Sequence, residues 1–63
     1  MTAYIVEYNN SGFNKYLRHY RTDSYYDALR WYECMKFQYH YVRLRYDTMY
    51  EDDILEEYIY QED

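Results

Sequence analysis

Thirteen of the chain's 63 residues are tyrosine, and this number limits the kind of hydrophobic core that the chain can build. Leucine, isoleucine and valine are few, so aromatic rings must supply much of the buried area while their hydroxyl groups stay in contact with water. A chain this short buries only about 60 % of the surface that its unfolded form exposes, so the tyrosines cannot all be inside. We expect several on the surface, where such rigid amphipathic rings are typical of protein interfaces.

The charges are segregated along the chain. Residues 47–63 contain eight acids and no lysine or arginine, whereas residues 1–46 contain all seven basic residues and four acids. The two parts therefore carry formal charges of −8 and +3, which sum to −5. This charge distribution favours cationic partners at the carboxyl-terminal end and disfavours nucleic acid and anionic membranes there.

Length and cysteine content indicate a single small domain over residues 1–63. Cys34 is the one cysteine, so no internal disulfide can form, which favours the reducing cytoplasm. The amino-terminal residues do not resemble a signal peptide, and no run approaches the roughly 20 apolar residues that cross a bilayer. We expect a soluble cytoplasmic protein that has no membrane partner and no cofactor.

Two antiparallel strands are predicted at the start of the chain. Tyr4, Val6 and Tyr8 fall on one side of an alternating run. The only glycine closes the segment 9–12 (NNSG), whose residues tolerate positive φ and predict a tight hairpin turn. A second strand is expected over Phe13 to Thr22.

A helix is predicted next. Ser24 followed by Asp27 resembles a capping box with the shorter acid, so the helix should begin at about Tyr25 and end near Gln38. Residues at helical spacing form one apolar face, which we expect to pack on the sheet: Tyr25, Ala28, Leu29, Trp31, Tyr32, Met35 and Tyr39.

A third strand is predicted over residues 40–46, with Val42, Leu44 and Tyr46 on one side and Tyr41, Arg43 and Arg45 on the other.

The last segment, residues 51–61, is compatible with two structures. As a helix capped by Thr48, it would align Ile54, Leu55, Tyr58 and Ile59. As a strand after a turn at residues 51–53, it would place Leu55 and Ile59 on one side and Ile54, Tyr58 and Tyr60 on the other. The strand is favoured because isoleucine and tyrosine suit strands and a second hairpin completes the sheet. The predicted fold is α+β, in the order ββαββ, with one helix on a four-stranded antiparallel sheet.

Residues able to support catalysis or metal binding are few. Ser11 and Ser24 are explained by a turn and a helix cap, and Cys34 lies on the flank of the helix. Cys34 and His40 lack the paired ligand spacing of a structural zinc site, and the acidic segment lacks the glycine and spaced ligands of an EF-hand loop. We therefore expect no catalytic residues, no metal and no enzymatic activity.

The acidic segment predicts a protein-binding edge. On a strand, its acids would form two rows, with Glu51, Asp53, Glu57 and Asp63 on one side and Asp52, Glu56 and Glu62 on the other. Such rows can occupy a cationic groove as a phosphate backbone does. The alternative is that these acids only keep a tyrosine-rich chain in solution. The predicted partner-binding residues are Tyr50, Glu51, Asp52, Asp53, Glu56, Glu57, Tyr58 and Tyr60.

A second hypothesis is a module that binds single-stranded nucleic acid. Tyrosines beside Arg18, Arg21, Arg43 and Arg45 could stack on bases while the arginines contact phosphates. The net charge of −5 opposes this function. Arg43 and Arg45 are equally suited to pair across the sheet with Glu7, or with Glu56 and Glu57. A third hypothesis is an assembly subunit whose tyrosine-rich sheet pairs with another copy, which leaves a homodimer open.

Taken as a whole, the chain resembles the small acidic proteins that bacteriophages and other mobile elements encode, including anti-CRISPR and anti-restriction inhibitors. The resemblance rests on the aromatic content, the predicted ββαββ order and an acidic end such as Tyr50-Glu51-Asp52-Asp53. It implies a stoichiometric inhibitor in the host cytoplasm, acting on a larger, basic, nucleic-acid-handling protein of the defence-nuclease type, as a nucleic-acid mimic or otherwise.

Overall fold

A computed structural model describes residues 3–12 and 18–61 and confirms the predicted α+β fold. The elements, in chain order, are β1 (Tyr4–Asn9), β2 (Arg18–Thr22), α1 (Tyr25–Met35), β3 (Tyr41–Asp47) and β4 (Asp52–Ile59). The strands form one antiparallel sheet in the order β2-β1-β3-β4, so β2 and β4 are its two edges. The helix lies on one face and contacts β1, β2 and β3.

The first hairpin is longer than predicted. A tight turn at residues 10–11 would pair Asn9 with Gly12, whereas the register pairs Tyr8 with Arg18. The local turn is instead closed by Asn9, whose Oδ1 accepts hydrogen bonds from the backbone N–H groups of Ser11 and Gly12 at 2.9 and 2.8 Å. Gly12 has a φ of 105°, which favours glycine there. Residues 13–17, predicted as strand, lie outside the described residues.

The helix begins where its cap predicts. The backbone N–H of Asp27 donates to Ser24 Oγ at 3.3 Å, whereas the Asp27 carboxylate accepts from the hydroxyl group of Tyr20 at 2.5 Å. Only half of the predicted capping box therefore forms, because the acid bonds to β2 instead of to the cap backbone. The helix ends at Met35, before the predicted Gln38, because residues 36–38 form tight turns in which Phe37 N donates to the carbonyl of Cys34.

The core lies between α1 and the centre of the sheet. Its fully buried strand residues are Val6, Val42 and Leu44, and the last two share a side of β3 as predicted. The helix contributes Ala28, Tyr32 and Met35. Tyrosine rings close the margins of this core, as the composition predicts: Tyr4, Tyr8, Tyr20, Tyr39 and Tyr58, with Leu29 and Trp31.

The last segment is a strand, but its two sides differ from the predicted ones. Leu44 pairs with Glu56 and Arg45 pairs with Ile54, so Leu55 is an extra residue in β4 and forms a β-bulge. Because the bulge shifts the alternation by one residue, Ile54 and Ile59 share one side of the sheet, contrary to the prediction. The strand also begins at Asp52, within the segment 51–53 that was predicted as a turn.

Candidate interaction edge

The acidic strand β4 is an exposed edge of the sheet. All eight of its residues except Tyr58 are exposed to solvent. Among the described residues, β3 is the only strand that pairs with β4. Helix α1 does not extend over β4: among the described residues no Cα atom of the helix lies within 8 Å of a Cα atom of β4, and Tyr58 is the β4 side chain that packs against the core. The outer side of β4 is therefore open to a partner.

The backbone groups that β4 offers can be assigned from the ladder. In an antiparallel pair, residues that exchange hydrogen bonds alternate with residues that do not. Asp47 N donates to Ala3 O, so the odd-numbered residues of β3 bond to β1 and the even-numbered ones to β4. Tyr60 N donates to His40 O at 2.7 Å, in agreement with this assignment. The β4 residues that pair with odd-numbered β3 residues therefore direct their backbone N–H and C=O groups away from β3, toward the open side of the edge. These residues are Asp52, Ile54, Glu57 and Ile59.

The acids of β4 lie on both faces of the sheet, in an arrangement that corrects the predicted rows. Because of the bulge, Asp52 and Glu57 lie on the face opposite the helix, whereas Asp53 and Glu56 lie on the helix side. Glu51 precedes the strand, and its backbone groups bond with Thr48 in the turn. Glu62 and Asp63 lie outside the described residues.

One of these acids has a cationic partner. Asp52 receives two hydrogen bonds from Arg45 Nη1, at 3.0 and 3.1 Å. Within the described part of the chain, no ion pair involves Asp53, Glu56 or Glu57. These three carboxylates are therefore available to an external cation.

The three predicted tyrosines of the site have different environments. Tyr50 is 89 % exposed in the turn before β4. The Tyr60 ring stacks on His40 with a centroid distance of 4.8 Å and remains half exposed. Tyr58 packs against the core and lies 5.7 Å from the Lys36 ammonium group, so it anchors β4 more than it displays a contact surface.

Exposed aliphatic side chains on β4 were not predicted as part of the site. Ile54, Leu55 and Ile59 are each about half exposed, between the acids. The spacing of these residues in the sequence was compatible with a strand or a helix. The face of the sheet on which each residue lies depends on the bulge, which the spacing does not predict. Together they give the acidic edge the apolar contacts that binding interfaces bury.

The acids of β4 also affect the pKa of Tyr32, a core residue of the helix. The pKa of Tyr32 is raised, first by burial and then by the negative charges of Glu56, Glu33 and Glu57. The negative charges of Glu56 and Glu57 therefore oppose ionisation of the Tyr32 side chain.

The arginines of β3 form a charge cluster with Glu7 on the face opposite the helix. Glu7 Oε1 accepts hydrogen bonds from Nε and Nη2 of Arg43, at 3.2 and 3.0 Å. Arg45 Nε lies 2.8 Å from the same oxygen, but its N–H direction does not meet hydrogen-bond geometry, so this is a charge contact. The alternative expectation, that these arginines pair with Glu7, is confirmed.

The four arginines of the nucleic-acid hypothesis do not form one surface. Arg21 lies on the same face as Arg43 and Arg45, whereas Arg18 lies on the helix side, where its Nη1 donates to the Tyr39 hydroxyl at 3.3 Å. Two of the four are engaged by Glu7. A phosphate backbone would therefore meet a divided set of cations.

The described residues offer no pocket or metal-ligand cluster as a second candidate site. Among residues 3–12 and 18–61 there is no pocket and no group of three or more potential metal ligands. No helix in this described part is long and apolar enough to cross a membrane. No protein-family model, curated protein or solved structure matches the chain.

Proposed function

We propose that the chain is a non-enzymatic interaction protein that binds a basic surface of a larger nucleic-acid-handling protein through β4. The observation that carries this proposal is that Asp53, Glu56 and Glu57 stand on a paired, bulged edge strand without a cationic partner in the described chain. Carboxylates held on both faces of a paired edge strand attract a cationic groove and speed the encounter by electrostatic steering.

Exposed apolar side chains at the same edge also support a binding interface, because such an interface needs apolar contacts in addition to charge. Ile54, Ile59 and Tyr60 are exposed beside the acids. Buried anchor residues supply most of the energy of an interface, while charged groups contribute mainly to rate and specificity. The β4 edge combines both kinds of contact within one strand.

The resemblance to phage-encoded anti-defence proteins gives this proposal its biological context. In that context the chain is an inhibitor that acts in the host cytoplasm, and the basic surface belongs to a defence nuclease of the anti-CRISPR or anti-restriction target type. The carboxylates occupy the groove in place of nucleic acid.

The test uses tagged protein to capture partners from a host lysate, followed by displacement with heparin, a polyanion that competes for nucleic-acid grooves. We expect the wild-type chain to retain a protein that heparin releases. The variant Glu56→Lys/Glu57→Lys should lose this protein because the edge becomes cationic. The matched control, Asp23→Lys/Glu33→Lys, has the same net charge but changes acids outside β4, and it should retain the protein. Equal capture by both variants would end the proposal.

The second hypothesis, binding of single-stranded nucleic acid, is less well supported because Glu7 engages Arg43 and Arg45. A gel-shift titration with single-stranded DNA and RNA separates the two functions. The proposed function predicts no retardation at moderate salt. Retardation that weakens steeply as salt rises would favour the nucleic-acid module instead.

A further inference from the structure

The two edges of the sheet carry opposite charges. β2 has two arginines, one histidine and no acid, whereas β4 has four acids and no basic residue. They lie at opposite ends of the strand order. We propose that the β4 edge of one copy pairs with the β2 edge of another, so that the chain associates head to tail into a continuous antiparallel sheet.

Strand direction fits this arrangement. Every neighbouring pair in the order β2-β1-β3-β4 is antiparallel, so β2 and β4 run in opposite directions. A second copy displaced sideways, and turned by the ordinary twist of a sheet, brings its β2 antiparallel to β4. Its helix then lies on the same face as the first helix.

Backbone hydrogen bonding is complementary at the two edges. Because the odd-numbered residues of β1 bond to β3, the even-numbered ones bond to β2, and His19 and Arg21 direct their backbone groups outward. Glu57 and Ile59 do the same on β4. All four side chains lie on the face opposite the helix, as residues that exchange hydrogen bonds across an antiparallel pair require.

Asp52 and Glu57 are the outward-facing acids of β4 on this face, and Arg45 already engages Asp52, so the register we propose uses Glu57. Arg21 stands opposite Glu57 of the next copy, and His19 stands opposite Ile59. The same register brings Tyr20 opposite Tyr58 on the helix side. Cross-strand pairs of opposite charge and of aromatic rings are both stabilising.

The position of the helix supports the same contact. Trp31 stacks on Tyr20 of β2 with a centroid distance of 4.3 Å, whereas among the described residues no Cα atom of α1 lies within 8 Å of a Cα atom of β4. The helix therefore covers the basic edge but does not extend over the acidic edge, where Tyr58 packs against the margin of the core and the other side chains are exposed. In the assembly, the Trp31 and Tyr20 rings of the next copy border that uncovered side.

The symmetry of the interface has two consequences. Pairing of β4 with β4 would bring acids together, and pairing of β2 with β2 would bring arginines together, so the favoured contact joins unlike edges. An interface between unlike surfaces produces open chains unless its rotation closes a ring. Self-association also occupies the edge that the proposed function assigns to a partner, so the two binding events exclude each other.

Sedimentation equilibrium over a concentration series tests the proposal. In about 0.1 M salt, the repulsion between the net negative charges of two copies extends only about 10 Å. Ion pairs in direct contact are screened less. We expect the average mass of the wild-type chain to rise with concentration beyond a dimer. Arg21→Glu and Glu57→Lys should each weaken association roughly tenfold, because each replaces a favourable cross-strand pair by a repulsive one.

An equimolar mixture of these two variants provides the decisive measurement. Each variant repels itself, but both contacts between unlike variants pair opposite charges again, so mixing should restore association and also shows that both variants are folded. Arg30→Glu, on the exposed face of α1, makes the same change in net charge as Arg21→Glu and should leave association unchanged. A wild-type monomer at all concentrations, or a mixture that stays monomeric, would overturn the proposal.

The same variants allow self-association and the proposed function to be tested separately. Arg21→Glu changes the β2 edge alone, so it should weaken self-association while capture of the heparin-displaced partner continues. A wild-type chain that self-associates but captures no heparin-displaced partner would contradict the proposed function and leave the assembly proposal standing.

Discussion

Arg45 joins the central sheet to the acidic edge, because its Nη1 atom donates to both carboxylate oxygens of Asp52, at 3.0 and 3.1 Å. The same guanidinium group contacts Glu7 and lies 3.9 Å from Asp47. A basic and an acidic segment that are separate in the sequence thus become neighbours in the sheet. On the face opposite the helix, the charges of the two segments therefore partly cancel.

Replacing Asp52 by asparagine should lower stability slightly. The carboxylate is 58 % exposed, so solvent screens the pair and its loss should cost less than about 1 kcal/mol. Glu57→Gln, which breaks no ion pair among the described residues, should not destabilise the chain. Urea unfolding of both variants measures the difference, and a larger loss in Glu57→Gln than in Asp52→Asn would contradict the assigned pairing.

Glu7→Gln should destabilise the chain more than any of these surface changes. The Glu7 side chain is 14 % exposed and those of Arg43 and Arg45 are 18 % and 21 % exposed, so the variant leaves two poorly solvated cations without their shared counter-charge. We expect a loss of about 2 kcal/mol, between the values for exposed and fully buried pairs. Glu33→Gln, which removes an exposed pair with Lys36, is the control and should cost less than about 0.5 kcal/mol. Equal unfolding free energies for the two variants would show that the Glu7 cluster is unimportant.

Leu44→Ala tests whether the core lies between α1 and the centre of the sheet. Leu44 is fully buried, so its truncation should remove about 2 to 5 kcal/mol, a large part of the stability of so small a domain. The matched substitution Leu55→Ala, at the exposed bulge, should cost less than about 1 kcal/mol. Thermal unfolding of the two variants gives the comparison, and a reversed order would place the core elsewhere.

Alkaline unfolding tests the environment of Tyr32. Its pKa is raised above 10.0, chiefly by burial, so above pH 10 the unfolded chain loses this proton before the folded chain does. The contribution to stability is complete below that pH and is lost as pH rises through the folded pKa. Between about pH 9 and about pH 12, wild-type protein should therefore lose more unfolding free energy than Tyr32→Phe. Tyr26→Phe, at an exposed ring, should follow the wild type; identical pH dependence for all three proteins would contradict this environment.

The features predicted from the sequence are those that depend on neighbouring residues. The cap at Ser24 correctly located the start of α1, because a helix cap needs only the next few residues. Alternation in β1 and β3 correctly grouped the residues of each strand by side, and Val6, Val42 and Leu44 lie on the sides that face the helix. The choice of a strand over a helix for the last segment rested on the need of the sheet for a fourth strand.

The features that were missed depend on pairing between distant segments. The bulge at Leu55 follows from the register of β4 against β3, and no local pattern of β4 contains that information. The hydrogen bond from Tyr20 to Asp27 diverted the acid of the expected capping box. The pairing of Arg45 with Asp52 was missed because the turn was predicted at residues 51–53, whereas Asp52 already lies in β4.

Amide hydrogen exchange along β4 in dilute monomeric protein is the most direct test of the central claim, that the acidic segment is a bulged edge strand with one open side. We predict slow exchange at Asp53, Glu56 and Tyr58, which bond to β3, and fast exchange at Ile54, Glu57 and Ile59, which face outward. Uniformly fast exchange would show an unpaired tail, and continuous protection over residues 52–59 would show a helix or a strand covered on both sides. Either result would contradict the account.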